Sequence, residues 1–235
     1  MEIVNKKETQ ITFNAEIGES LANAIRRYLN RIPVLAVDEV EISKNDSPLY
    51  DETVAHRIGL VPLKSSGTKE VTLKLKTKGE GMVYSKELKG DAEVVYGEIP
   101  LTFLKKGEEI NIVAKTTFGK GTDHSKFSPG LMFYRNIFKV DADKNCKEEV
   151  VEKCPKDVLH NENGKVVVKN ENQCDDCEAC VEFCKKKGVG EIKVTPTKEI
   201  LFTVESFGQL GVEDIFKKSV EILKKDLAEV SKKIK

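Results

Sequence analysis

Leu21-Ala22-Asn23-Ala24-Ile25-Arg26-Arg27-Tyr28-Leu29-Asn30-Arg31-Ile32-Pro33 places Leu21, Ile25, Leu29 and Ile32 at steps of four, four and three residues. That spacing lines one face of a helix. Ala22 and Tyr28 flank the stripe, and Arg26, Arg27 and Arg31 lie off its centre. Gly18-Glu19-Ser20 interrupts the pattern upstream, with Ser20 the expected N-cap. Downstream, Pro33 ends the helix, because the residue before a proline is pushed out of the α region. Outward from this segment, residues 2–17 read as strand, Ile11, Phe13 and Ala15 alternating with polar neighbours. Val34 to Ile42 reads as strand again.

Asp51-Glu52-Thr53-Val54-Ala55-His56-Arg57-Ile58-Gly59 reads as a short capped helix. Asp51 is the expected cap, Glu52 suits the positive end and Gly59 the terminus. Residues 71–118 read as β-rich: Val71, Leu73 and Leu75 alternate with polar residues, as do Ile110, Ile112 and Ala114. Gly119 to Gly130 reads as loop, and strand character returns over Glu199–Ser206. After Gly208 and Gly211, a last helix carries Val212, Phe216, Val220, Leu223, Leu227, Val230 and Ile234. From Phe216 the steps run 4, 3, 4, 3, 4, a heptad-like seam. Such a seam either packs on the chain's own sheet, the commonest fate of an amphipathic helix, or meets a partner.

Composition narrows the classes. Lys plus Arg equals Asp plus Glu at 39 each, so the 235-residue chain is formally neutral. Neutrality argues against a broadly basic nucleic-acid binder. Trp is absent and aromatics are 6%, which argues against a stacking platform for single strands. No apolar run nears the roughly 18 residues a membrane span needs, and Met1–Lys7 lacks a signal-peptide apolar region, so a cytoplasmic location is expected. There, six cysteines point to metal or cluster binding rather than structural disulfides. No nucleophile elbow, phosphate loop or zinc-protease motif is present. The Asp-rich pattern that would hold paired Mg²⁺ ions is also missing.

Cys174-x2-Cys177-x2-Cys180-x3-Cys184 lets three thiolates converge from one loop, the ligand pattern of an iron–sulfur cluster. The fourth ligand in such sites comes from elsewhere and is typically followed by proline; Cys154-Pro155 fits. Companion cysteines for a second cluster would fall at 144, 147 and 150, where Lys144, Lys147 and Val150 stand instead. Cys184, followed by Lys185, is the alternative fourth ligand, a spare thiol or a redox partner of Cys146. A [4Fe-4S] cluster is the favoured occupant. A [3Fe-4S] cluster on Cys174, Cys177 and Cys180, a zinc site and unliganded thiols remain as alternatives.

Residues 21–33, with Val37-Asp38-Glu39-Val40-Glu41-Ile42 after them, resemble the signature of the RNA polymerase alpha-like subunits. Asp51-Glu52-Thr53-Val54-Ala55-His56-Arg57-Ile58-Gly59-Leu60-Val61-Pro62-Leu63 is similar to the archaeal and eukaryotic form of that family. Gly119-Lys120-Gly121-Thr122-Asp123-His124-Ser125-Lys126-Phe127-Ser128-Pro129 is similar to its Gly-rich loop. With the cysteine run, the likeness is to the archaeal branch of the family, in the form that carries a ferredoxin-like insert.

The resemblance implies an α+β chain. Residues 1–42 plus 194–235 would form a dimerisation domain, 43–142 an inserted β-rich domain contacting the second-largest subunit, and 143–193 a ferredoxin-like cluster domain. It implies a heterodimer with the small subunit L through helices 20–32 and 211–234. Leu21, Ile25, Leu29, Phe216, Val220, Leu223, Leu227 and Val230 would make that contact. Polymerase subunits B, N and P are the further partners it implies, with DNA reached only through the holoenzyme and no membrane contact. It further implies membership of a nucleotidyltransferase without catalytic residues in this chain. The cysteine run alone supports a different class, an electron-transfer subunit of a redox enzyme.

Overall fold

The computed structural model describes residues 2–65 and 69–234. In chain order the elements are β1 (Glu2–Lys6), β2 (Gln10–Ala15), α1 (Glu19–Tyr28), β3 (Val34–Asn45), α2 (Asp51–Gly59), β4 (Thr72–Lys78), β5 (Gly81–Tyr84) and β6 (Lys89–Gly90). There follow β7 (Pro100–Leu104), β8 (Glu109–Gly119), β9 (Gly130–Ala142), β10 (Leu159–Glu162), β11 (Lys165–Val168), α3 (Ala179–Lys187), β12 (Ile192–Ser206) and α4 (Val212–Lys233). The chain divides into two compact units. One comprises Met1–Asn5, Thr12–Ala22 and Phe133–Thr203; the other comprises Lys6–Ile11, Asn23–Met132 and Val204–Lys235.

One four-stranded sheet has the order β1-β2-β12-β9. Its apolar face is pinned by rings: Phe13 stacks on Phe202 at 5.4 Å, and Tyr134 meets Phe202 at 5.8 Å. Offset ring pairs at such distances add to the area they bury. The second sheet, β3-β8-β4-β6, is antiparallel, with Leu75 opposite Ile112 and Leu73 opposite Ala114. These residues are fully buried together with Val54 and Ile58 of α2 and Leu101 and Leu104 of β7. The alternation in residues 72–78 and 109–116 is therefore that of a sheet with one covered face. Val34 to Val37 are all buried, so β3 begins covered on both faces. Ala36 and Val34 meet Phe127 on one side while Val37 joins the larger core.

Local expectations give way at three helices. Ser20 lies inside the first turn of α1, and Leu21 and Ala22 donate instead to the Gly18 carbonyl. Asp51 is likewise inside α2, where its carboxylate accepts from Asn45 Nδ2, and the position before it is Tyr50 with no capping side chain. The helix ends at Leu60 in a right-handed conformation, so the freedom of Gly59 is not what stops it. The third concerns α4. It buries Val212, Ile215, Ser219 and Leu223, a stripe turned from the heptad seam read from Phe216 onward. Phe216 and Val220 are half-buried at the border between the two stripes.

Candidate functional site

The stretch between β9 and β12 holds all six cysteines. It folds into the β10–β11 hairpin, helix α3 and short 3-10 turns at Glu148–Lys153 and Glu171–Gln173. Val140, Val150, Val158, Leu159 and Ile192 form its apolar core, with Cys146 and Cys184 among them. Asp176 and Glu178 adopt left-handed φ values of 56° and 57°. Non-glycine residues adopt that region at a cost of about 1–3 kcal/mol each. Two such residues inside seven curl the loop tightly, which is how Cys174, Cys177 and Cys180 come to face one cavity. Gly188, at φ 64°, ends α3 with its N–H on the Cys184 carbonyl, the left-handed helix stop that glycine adopts without strain.

Cys154, Cys174, Cys177 and Cys180 all line that cavity, walled by Val140, Val158, Leu159 and Val194. It is narrow, about 20 Å³, and Cys177 is its exposed member. Burial pushes the Cys180 thiol up to about 11, the sulfurs of Cys154 and Cys174 adding to the effect. Burial also raises the Cys174 thiol, opposed by a hydrogen bond from the backbone of Asp176. The Val158 N–H donates to Cys154 Sγ at 3.4 Å. Four thiols among apolar walls, with N–H groups on the sulfurs, are donors that soft metals and iron–sulfur clusters select. Among the described residues, no group of three or more His, Cys, Asp or Glu side chains is arranged to hold a metal ion.

Cys184 is placed elsewhere. It is buried against Cys146, with which it hydrogen-bonds, and burial followed by that neighbour raises its thiol. Cys146 Sγ donates to the Glu191 carbonyl at 3.3 Å. A Cβ on Gly190 would lie 2.6 Å from the Cys146 nitrogen, so only glycine lets these backbones approach. Sequence reading missed two further residues that hold the cysteine loop. Arg135 Nη1 donates to the Cys174 carbonyl at 2.8 Å and Nη2 to that of Asn172, and Glu171 accepts from the Val140 N–H at 2.6 Å. No local pattern marks either residue, because each acts on a segment more than 30 residues away.

The terminal helices form the other candidate surface. Leu21 is 46% exposed, whereas Ile25 and Leu29 are buried within the chain. On α4, Leu223 is buried but Leu227, Val230 and Ile234 are 59%, 53% and 81% exposed. The start of that open stripe is held by Asp226, which accepts from Tyr28 at 3.0 Å and pairs with Arg31 at 2.5 Å. Arg31 is thus engaged within the chain, while Arg26 bonds to the neighbouring Asn23. His56 is exposed. His124 Nδ1 accepts from the Lys126 N–H, and Lys126 Nζ reaches Asp38, an arrangement that fixes the loop. No helix among the described residues is long and apolar enough to cross a membrane.

Comparison with known proteins gives one answer along the whole chain. The sequence model of the RNA polymerase Rpb3/Rpb11 dimerisation domain matches residues 13–227. The DNA-directed RNA polymerase subunit Rpo3 of Pyrococcus horikoshii is 35% identical, over 95% of this chain and 93% of its own. That of Methanosphaera stadtmanae is 33% identical over 95% and 94%. That of Archaeoglobus fulgidus is 33% identical over 99% and 96%.

Proposed function

The chain belongs to the RNA polymerase Rpb3/Rpb11 dimerisation-domain family, and on that premise we propose that it is a non-catalytic assembly subunit of DNA-directed RNA polymerase. It pairs with a small alpha-like partner, subunit L, and presents further surfaces to subunits B, N and P. DNA is reached only through the assembled enzyme. The observation that carries the pairing is the open apolar stripe of α4. Three large aliphatic side chains in heptad register stand in solvent on a helix whose other stripe is already buried. Covering Leu227 and Val230 would contribute about 1.5–3 kcal/mol each. The half-buried Phe216 and Val220 border that stripe, Leu223 is buried within the chain, and Leu21 is exposed on α1. Ile25 and Leu29 support α1 from beneath.

The second part of the proposal is an iron–sulfur cluster held by Cys154, Cys174, Cys177 and Cys180. It is supported by their common cavity, the donor chemistry and the curled loop. When bound, the cluster supplies four metal–thiolate links and a one-electron centre. The chain's own contribution is to bring a remote Cys154 to a loop that Arg135 and Glu171 anchor. The electron-transfer reading is not favoured, since the likeness to polymerase subunits spans nearly the whole chain.

The test is anaerobic affinity purification of the tagged chain from native extract. Recovery of large subunits that direct template-dependent RNA synthesis is the expected result. Recovery of a dehydrogenase or a lone redox partner instead would overturn the proposal.

A further inference from the structure

We propose that the cavity bordered by Leu60, Tyr96 and Phe207 receives an arginine side chain from a neighbouring polymerase subunit. The cavity measures about 380 Å³, within the range of specific side-chain and ligand sites. Leu60, Tyr96 and Phe207 are 47%, 47% and 41% exposed, and they arrive from three separate segments. Three large apolar groups facing one opening mark a surface built to be covered.

The polar lining says by what. Lys126 is the cation present, and its Nζ is committed to the Val37 carbonyl and to Asp38. Glu205 also lines the cavity; among the described residues no ion pair or side-chain hydrogen bond engages its carboxylate. Gln209 is 7% exposed and held in place: Ser65 N–H donates to its carbonyl at 2.9 Å, and its Nε2 donates to the Ser128 carbonyl at 3.2 Å. Its Oε1 is buried with no partner among the described residues. The turn that sets it is tight, since Gly208 has φ 97° and a Cβ there would meet Val95 at 2.3 Å.

The cavity therefore brings together an unengaged carboxylate and two aromatic rings, with the buried, unpartnered Gln209 Oε1 in its wall and Lys126 already committed. An aliphatic occupant would bury the carboxylate without a partner, which costs more than leaving a neutral group unpaired. A lysine brings three donors from one point. A guanidinium brings five in a plane, serves a carboxylate and a second acceptor together, and stacks on aromatic faces. Arginine and aromatic residues are also those enriched at the centres of protein interfaces. The inference rests on the polymerase-subunit reading, which supplies the neighbour.

The experiment places photoreactive benzoylphenylalanine at Tyr96 of the chain in reconstituted polymerase and identifies the crosslinked peptide by mass spectrometry. The expected peptide comes from another polymerase subunit and carries an arginine within two residues of the crosslink. Glu205→Arg should then weaken retention of that subunit at least tenfold, and exchanging its arginine for glutamate should restore it. Glu205→Gln, which breaks no side-chain bond among the described residues, serves as the folding control. A crosslink to a second copy of this chain, to a peptide without arginine, or to nothing while the chain stays in the polymerase would overturn the proposal and leave the subunit reading standing. Failure of the chain to enter any polymerase would remove both.

Discussion

At Cys154 the sulfur lines the same cavity as Cys174, Cys177 and Cys180 and already accepts an N–H from Val158. Cys184, one helical turn beyond Cys180, turns to Cys146 instead. If the proposed cluster is held there, Cys154→Ser should lose most of the iron and sulfide and Cys184→Ser should keep them, as measured by elemental and acid-labile sulfide analysis after anaerobic purification. Equal losses in the two variants would contradict the assignment. Glu178, at φ 57°, carries a second prediction. Glu178→Gly should be neutral or stabilising, whereas Glu178→Val should cost upwards of about 1 kcal/mol, because a β-branched residue fits the left-handed region worst. Urea denaturation of the two variants decides it. The three-cysteine run was readable because its spacing is local and fixed, and Cys154 only because Pro155 follows it. Arg135 and Glu171 were not, since each has meaning only through the distant backbone it bonds.

At the scale of elements, α4 carries two stripes, and the sequence pattern alone does not separate them. Ser219 is fully buried and Ile215 sits beside it. Neither belongs to the heptad seam, so a reading by apolar spacing assigns the helix one face where it has two. The consequence is testable. Leu227→Asp with Val230→Asp should leave the melting behaviour of the isolated chain within about 0.5 kcal/mol of the parent, the usual range for surface changes. Leu223→Asp should unfold it, because that side chain is buried.

The link between Tyr28 and Asp226 adds a pH signature. Partial burial, and then the hydrogen bond to Asp226, raise the Tyr28 hydroxyl above its ordinary value near 10. A raised folded-state pKa means the neutral phenol is favoured by folding. The stabilisation it provides is full below about pH 10 and is lost as pH climbs through the folded value. Tyr28→Phe should therefore remove part of the alkaline decline in stability above about pH 10 and change nothing in its slope near pH 7. Urea titrations of both proteins across that range measure it, and parallel declines would refute the link.

At the scale of the whole molecule, strands from both ends of the chain share one sheet. β2 lies beside β12, although about 180 residues separate them, and β9 closes the other edge. The alternation of Ile11 and Phe13 announces a strand but not its neighbour. Strand pairing over that separation has no local signature, and the sequence reading did not name it; the family resemblance implied only that both chain ends share a domain. Helix α2 could be read to its residues, 51–59, whereas β8 was legible only as alternation inside a broader β-rich stretch. The cap at Ser20 could not, because a backbone carbonyl at Gly18 took the place of a side chain. The proposed function makes the part of α4 that the chain leaves uncovered the expected binding face for a small alpha-like subunit.

The most direct measurement of that claim is the mass, by size-exclusion chromatography with light scattering, of the chain co-expressed with that small subunit. A one-to-one heterodimer is predicted for the parent chain. Leu227→Asp with Val230→Asp should yield a folded monomer, its affinity reduced by about a hundredfold or more. A parent chain that stays monomeric beside its partner, or a doubly substituted chain that still pairs, would contradict the account.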